Sequence, residues 1–165
     1  MAISKIGGTG SDNWELISSV TPTAASAAVN FTGLSPYKKL AIRVSGVVFG
    51  SSGILGIRLN NDSGSNYDIS YTLENATPRL ALEVETHTYW YFSKQGSTNH
   101  LRGFVEIQNC DNSGIKILSS GYKEDDLMST NYYGVYLASA VISQVNVISS
   151  TTFTAAGTVA LYGVK

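Results

Sequence analysis

The sequence predicts an all-β domain, a sandwich or barrel of about ten short antiparallel strands. Apolar and polar residues alternate along most of the chain, which is typical of strands that bury one face and expose the other. Stretches rich in Gly, Asn, Asp and Ser separate the alternating segments, at intervals of roughly 8–14 residues. No segment shows a convincing helical period.

Four segments show the alternation most clearly, and each has one apolar face. The first two segments are Tyr37–Val48, with the apolar residues Leu40, Ile42 and Val44, and Ile54–Asn60, with Leu55, Ile57 and Leu59. The other two are Arg79–Glu85, with Leu80, Leu82 and Val84, and Leu101–Gln108, with Leu101, Val105 and Ile107. Six further strands are predicted at Trp14–Val20, Ser26–Thr32, Tyr67–Glu74, Gly114–Gly121, Ala140–Ile148 and Thr158–Val164. The window Ser119–Asn131 lacks a clear period, so Tyr122–Met128 is interpreted as one helical turn or a polar loop.

The domain organisation is simple. A chain of 165 residues has the size of one domain, and no repeat or change in composition marks a second one. Gly7, Gly8 and Gly10 precede the first predicted strand, so residues 1–12 are predicted to be a flexible N-terminal arm. Residues 13–165 then form a single sandwich domain.

Composition argues against several classes of partner. Only 14% of the residues are charged and the net charge is -1, with no basic cluster larger than Lys38–Lys39, so a nucleic-acid partner is not expected. No apolar run approaches the ~20 residues of a membrane span, and no signal peptide is recognisable. Cys110 is the only cysteine; an internal disulfide is therefore impossible, which fits folding in a reducing cytosol.

Residues that carry catalysis are sparse. The two histidines, His87 and His100, are interpreted as exposed or edge residues, and no G-x-S-x-G elbow occurs. Clustered His, Cys or carboxylate ligands for zinc are also missing from the sequence. The segment Asn60–Asn66 resembles a calcium loop in composition but lacks its acidic ligands, and a β-turn capped by Asx side chains is favoured. We therefore expect a protein that is not an enzyme and has no metal and no cofactor.

Two aromatic clusters are the candidate interface or ligand surface. They comprise Tyr89, Trp90, Tyr91 and Phe92, followed by Tyr132, Tyr133 and Tyr136. Successive residues of a strand point to opposite faces, so one half of each cluster is expected to join the core and the other to remain partly exposed. Three interpretations stay open: a subunit interface, core packing, or direct binding of a ligand such as a sugar.

Five segments carry a resemblance to a known group of proteins. They are Trp14–Ser19, Val29–Leu34, Tyr37–Leu40, Ile57–Tyr67 and Phe153–Val164. Together they resemble small jelly-roll structural proteins of tailed-phage virions. The resemblance implies an antiparallel jelly-roll sandwich and a structural role in the virion, made in the host cytoplasm and often assembled as a homotrimer.

The resemblance leaves the location on the particle open. No coiled-coil stalk or repeated β-helix segment occurs, and we expect Met1–Lys165 to be a complete small gene product. These features favour a capsid decoration or cement protein that stabilises the head, with the major capsid protein or tail proteins as partners. The alternative is a tail-fibre or receptor-binding jelly-roll module that binds host-surface carbohydrate.

Overall fold

The computed structural model describes residues 13–73, 81–96, 100–124 and 129–165. In these ranges the chain forms strands and no helix, and thus no helix that could cross a membrane. The strands are β1 (Glu15–Val20), β2 (Ala28–Thr32), β3 (Lys39–Val47), β4 (Gly53–Leu59), β5 (Tyr67–Leu73), β6 (Ala81–His87), β7 (Trp90–Gly96), β8 (Leu101–Gln108), β9 (Lys116–Glu124), β10 (Ser129–Tyr136), β11 (Gln144–Ser149) and β12 (Thr158–Val164).

The strands form two antiparallel sheets packed as a sandwich. One sheet has eight strands in the order β1-β12-β3-β8-β9-β10-β5-β6, and the other has four in the order β2-β11-β4-β7. All neighbouring pairs are antiparallel. The all-β prediction is confirmed, and the architecture is consistent with a jelly-roll-like sandwich rather than a barrel.

The core lies between the two sheets and follows from the alternation in the sequence. On β3, Leu40, Ile42 and Val44 are buried while Arg43 and Ser45 are exposed. The apolar residues predicted for the segments at 54–60 and 101–108 are buried in the same way. Full burial of one such side chain stabilises the fold by about 1.5–3 kcal/mol relative to exposure.

The structure corrects the strand assignment in the second half of the chain. The prediction of a helical turn or polar loop at Tyr122–Met128 is wrong for the described residues 122–124, since β9 continues to Glu124. The reason is the neighbouring strand: residues 122–124 pair with Leu101, Arg102 and Gly103 of β8, which satisfies their backbone groups in an extended conformation. The predicted arm at 1–12, Leu80 and residues 125–128 lie outside the described residues.

Two glycines position β12 beside β3. Gly46 has a φ of 68° at a register shift of β3, and Gly157 has a φ of 76° just before β12. A Cβ atom on Gly157 would lie 2.3 Å from the backbone carbonyl of Gly46. Only glycine accommodates both the left-handed backbone and this close approach. β3 and β12 supply the floor and part of one wall of the groove described below.

Candidate functional site

The structure divides the seven aromatic residues of the predicted surface. Trp90, Phe92, Tyr132 and Tyr136 lie in the core, so the prediction that they form a surface is wrong for these four. Strand alternation points them inward, and the polar atoms of Trp90 and Tyr136 make hydrogen bonds within the protein. The indole Nε1–H of Trp90 donates to the buried Ser120 hydroxyl at 3.1 Å, so replacing Trp90 would disturb the fold rather than a binding surface.

The remaining three aromatic residues divide into a contacting pair and a single residue. The rings of Tyr89 and Tyr91 make an edge contact, with centroids 4.9 Å apart, whereas Tyr133 lies on the other sheet. Tyr133 is 56% exposed on the outer face of the eight-stranded sheet. Tyr89 is half-buried on the four-stranded sheet, in a depression of about 320 Å³ that Arg58 also lines. Tyr91 is half-buried and makes an edge contact with His87, with ring centroids 4.5 Å apart. The structure therefore does not bring the seven residues together into one surface.

A second set of residues forms a contiguous apolar surface on the eight-stranded sheet. We call it the β9–β10 patch; it consists of Ile115, Ile117, Tyr133, Val135 and Leu137. Ile117 lies directly opposite Val135, and Tyr133 lies opposite Ser119. Half of the Ile117 side chain is exposed, and Ile115 and Leu137 are exposed as well. Apolar side chains grouped on an outer face are typical of surfaces that contact another protein.

The other half of the same outer face contains an open groove of about 680 Å³. Its floor comprises the small residues Ala41 and Ser45 of β3. Trp14 and Tyr162 form one wall, and Phe104 of β8 forms the other. At Ala41, β3 presents a small side chain between Tyr162 of β12 and Glu106 of β8, which leaves space above the sheet.

Charged side chains enter this groove from its floor and one wall. Arg43 lies directly opposite Phe104, and Arg102 lies opposite Ser45. Glu106 accepts a hydrogen bond from the Gln108 amide at 3.1 Å. Arg43 is exposed and pairs with no other described residue. The groove thus combines exposed aromatic rings with two guanidinium groups and one carboxylate, a set that can stack on a ring and bind an anion.

The segment 60–66 is a hydrogen-bonded turn, as favoured from the sequence. The Asp62 carboxylate accepts bonds from the Gly64 amide at 2.7 Å, the Asn66 side chain at 2.7 Å and the Tyr136 hydroxyl at 2.9 Å. Partial burial acts to raise the pKa of Asp62, but these three donors outweigh it and hold that pKa below its usual value. Its oxygens are used within the protein, and no cluster of three metal-ligating side chains occurs among the described residues.

Cys110 and Lys116, whose pKa values are shifted by burial, have structural roles. Cys110 is completely buried, and burial raises the pKa of its thiol to about 12. Lys116 is also buried and its ammonium group donates to the backbone carbonyls of Asn112, at 2.6 Å, and Gly114. Burial lowers the pKa of Lys116. The lysine caps the turn before β9, and its donors are directed away from solvent.

Sequence reasoning missed both the groove and most of the β9–β10 patch. A signal for each was present in the alternation. Phe104 places a large apolar residue on the polar face that Arg102 and Glu106 define, and Ile115 and Ile117 make both faces of their segment apolar.

No protein-family model and no curated protein matches the chain.

Proposed function

We propose that the protein is a non-catalytic structural protein on the surface of a tailed-phage virion. Specifically, it is a trimeric capsid decoration protein that stabilises the head. The observation that carries the proposal is the β9–β10 patch, an apolar surface on a rigid sheet. The sequence resemblance supplies the virion context, and the low fraction of charged residues favours extensive protein–protein contact.

The patch has the physical properties that subunit contact requires. Ile117, Tyr133 and Val135 extend from β9 and β10 of the eight-stranded sheet, and Ile115 and Leu137 directly adjoin these strands. Little ordering is therefore needed on binding and little affinity is lost to entropy. Each Å² of apolar surface that a neighbour covers contributes about 25 cal/mol. A trimer presents three copies of every capsid-binding surface, and the high effective concentration then strengthens individually weak contacts with the head.

The test compares two substitutions on the same outer face. Ile117→Lys places a charge in the β9–β10 patch, whereas Leu16→Lys places the same charge at β1, where Leu16 is 57% exposed. Sedimentation velocity should give about three times the 17.6 kDa chain mass for the wild type and for Leu16→Lys, and a smaller mass for Ile117→Lys. Antibody labelling of particles from an infected host should locate the protein on the head. A wild-type protein that is monomeric and missing from particles would overturn the proposal.

A second function is favoured by the groove. A tail-fibre or receptor-binding module that binds host-surface carbohydrate needs exposed aromatic rings against which sugar rings stack. Trp14 and Phe104 provide such rings on opposite walls of the groove, and they are 41% and 54% exposed. Labelling at the tail instead of the head, together with binding to glycans, would favour this function over decoration.

A further inference from the structure

We propose that the groove between Trp14 and Phe104 binds a saccharide that carries a carboxylate. The ring of the sugar stacks between the aromatic walls, and its carboxylate pairs with Arg43. The inference rests on the carbohydrate-binding candidate described above and is independent of the β9–β10 patch. It adds the chemical class of the ligand and the residues that recognise it.

The strand register gives the groove the width of one ring. β12 and β8 are the two neighbours of β3, so they lie about 10 Å apart across it. Tyr162 on β12 and Glu106 on β8 both lie opposite Ala41. Because alanine leaves the middle of this row empty, a sugar ring can lie against the sheet between the two walls. The groove volume of about 680 Å³ is within the usual range for small-ligand sites.

Arg43 supplies the preference for an acidic ligand. It projects from the central strand of the groove, with Ala160 opposite on one side and Phe104 on the other. Its guanidinium pairs with no other described residue, so a ligand carboxylate displaces no internal partner. A guanidinium can bind both oxygens of a carboxylate through two parallel hydrogen bonds. Glu106, near the same wall, can accept bonds from the sugar hydroxyls.

The position of the groove within the sheet favours a saccharide over a peptide. An extended peptide commonly binds by adding a strand to an exposed sheet edge. β12, β3 and β8 each have a neighbour on both sides, so their backbone groups are already paired. A sugar needs only side-chain hydrogen bonds and an aromatic face, and the outer surface of these three strands offers both.

The distribution of tryptophan allows a direct binding assay on the full chain. The protein has two tryptophans; Trp90 is completely buried, while Trp14 lines the groove. A change in tryptophan fluorescence on titration therefore reports on the groove. We expect saturable changes with 3′-sialyllactose and with trigalacturonic acid, and much weaker changes with the neutral probes lactose and maltotriose.

Substitutions in and outside the groove identify the site. Arg43→Gln should weaken binding of the acidic probes by roughly tenfold or more, since a charged hydrogen-bonded pair is lost, and Arg43→Lys should have an intermediate effect. Arg58→Gln, a matched change on the outer face of the four-stranded sheet, should leave the affinity unchanged. Trp14→Ala, measured by calorimetry, should abolish binding.

Three outcomes would overturn the inference. The first is the absence of saturable binding to either acidic probe. The second is equal affinity for the neutral and acidic probes, which would preserve carbohydrate binding as a function but refute the role of Arg43. The third is a loss of affinity in Arg58→Gln but not in Arg43→Gln, which would locate the site on the opposite sheet. The oligomer mass of the same preparations tests the decoration proposal separately.

Discussion

Replacing Asn60 should reveal how one side chain attaches the segment before β11 to the end of β4. The Asn60 side-chain oxygen accepts bonds from the amides of Ser143, at 2.8 Å, and Gln144, at 3.2 Å, and from the Ser143 hydroxyl, at 3.2 Å. Its side-chain nitrogen donates to the Val141 carbonyl at 2.9 Å. Asn60 itself has a φ of 53°, a left-handed conformation that asparagine tolerates better than other residues with a Cβ.

The loss of stability expected for Asn60→Ala has two contributions, the lost hydrogen bonds and the backbone strain. Each of the four hydrogen bonds contributes roughly 0.5–1 kcal/mol at a partly exposed site. An alanine at this φ adds about 1 kcal/mol of backbone strain. Asn60→Ala should therefore lower the free energy of unfolding by about 3–5 kcal/mol. Asn60→Gly also loses the bonds but relieves the strain, so it should be about 1 kcal/mol more stable than Asn60→Ala.

Asn61 provides the matched control. Its φ is 56°, and its exposed side chain makes no hydrogen bond to another described residue. Asn61→Ala should therefore show the strain alone, at about 1 kcal/mol. Urea denaturation followed by circular dichroism measures all three variants, and hydrogen exchange at the Ser143 and Gln144 amides reports the local bonds. Equal stability of Asn60→Ala and Asn61→Ala would refute the reasoning, because the hydrogen bonds would then contribute nothing.

Two further predictions concern the core. The thiol of Cys110, the only one in the chain, should react with a disulfide reagent at pH 8 far more slowly in the native protein than in urea, because it is buried and its pKa is about 12. Rapid labelling of the native protein would contradict the slow reaction. Since the pKa of the native thiol exceeds that of an unfolded thiol, about 8.5, the contribution of Cys110 to stability is complete below pH 8.5. It declines as the pH rises toward 12. Gly134→Ala would place a Cβ 1.9 Å from the backbone oxygen of Asp68, so β5 and β10 must separate, and the free energy of unfolding should fall by about 3 kcal/mol or more. An unchanged urea midpoint would count against that geometry.

Much of the fold could be predicted because alternation along a strand is a local property. Leu101–Gln108 and Thr158–Val164 were predicted as strands with the bounds that the structure has. β7 and β10 were recognised only as aromatic clusters, since apolar residues on both faces obscure the period. The same feature explains why Trp90 was assigned to a surface, although its indole faces Ser120 in the core.

The candidate sites depend on neighbours that are distant in the sequence. Arg43 and Phe104 face each other only because β3 pairs with β8, and Tyr162 joins them because the end of the chain returns to the other side of β3. No periodicity encodes this order of strands.

The sequence by itself determined that the chain is all-β and which residues of most strands face inward, because covalent geometry sends successive side chains to opposite faces. Only the tertiary structure decided which outward residues meet. Strand pairing placed Ile117 beside Val135, and pairing between strands far apart in the chain placed Ala41 between Tyr162 and Glu106. A surface depends on such non-local pairing, whereas the burial pattern of a single strand does not.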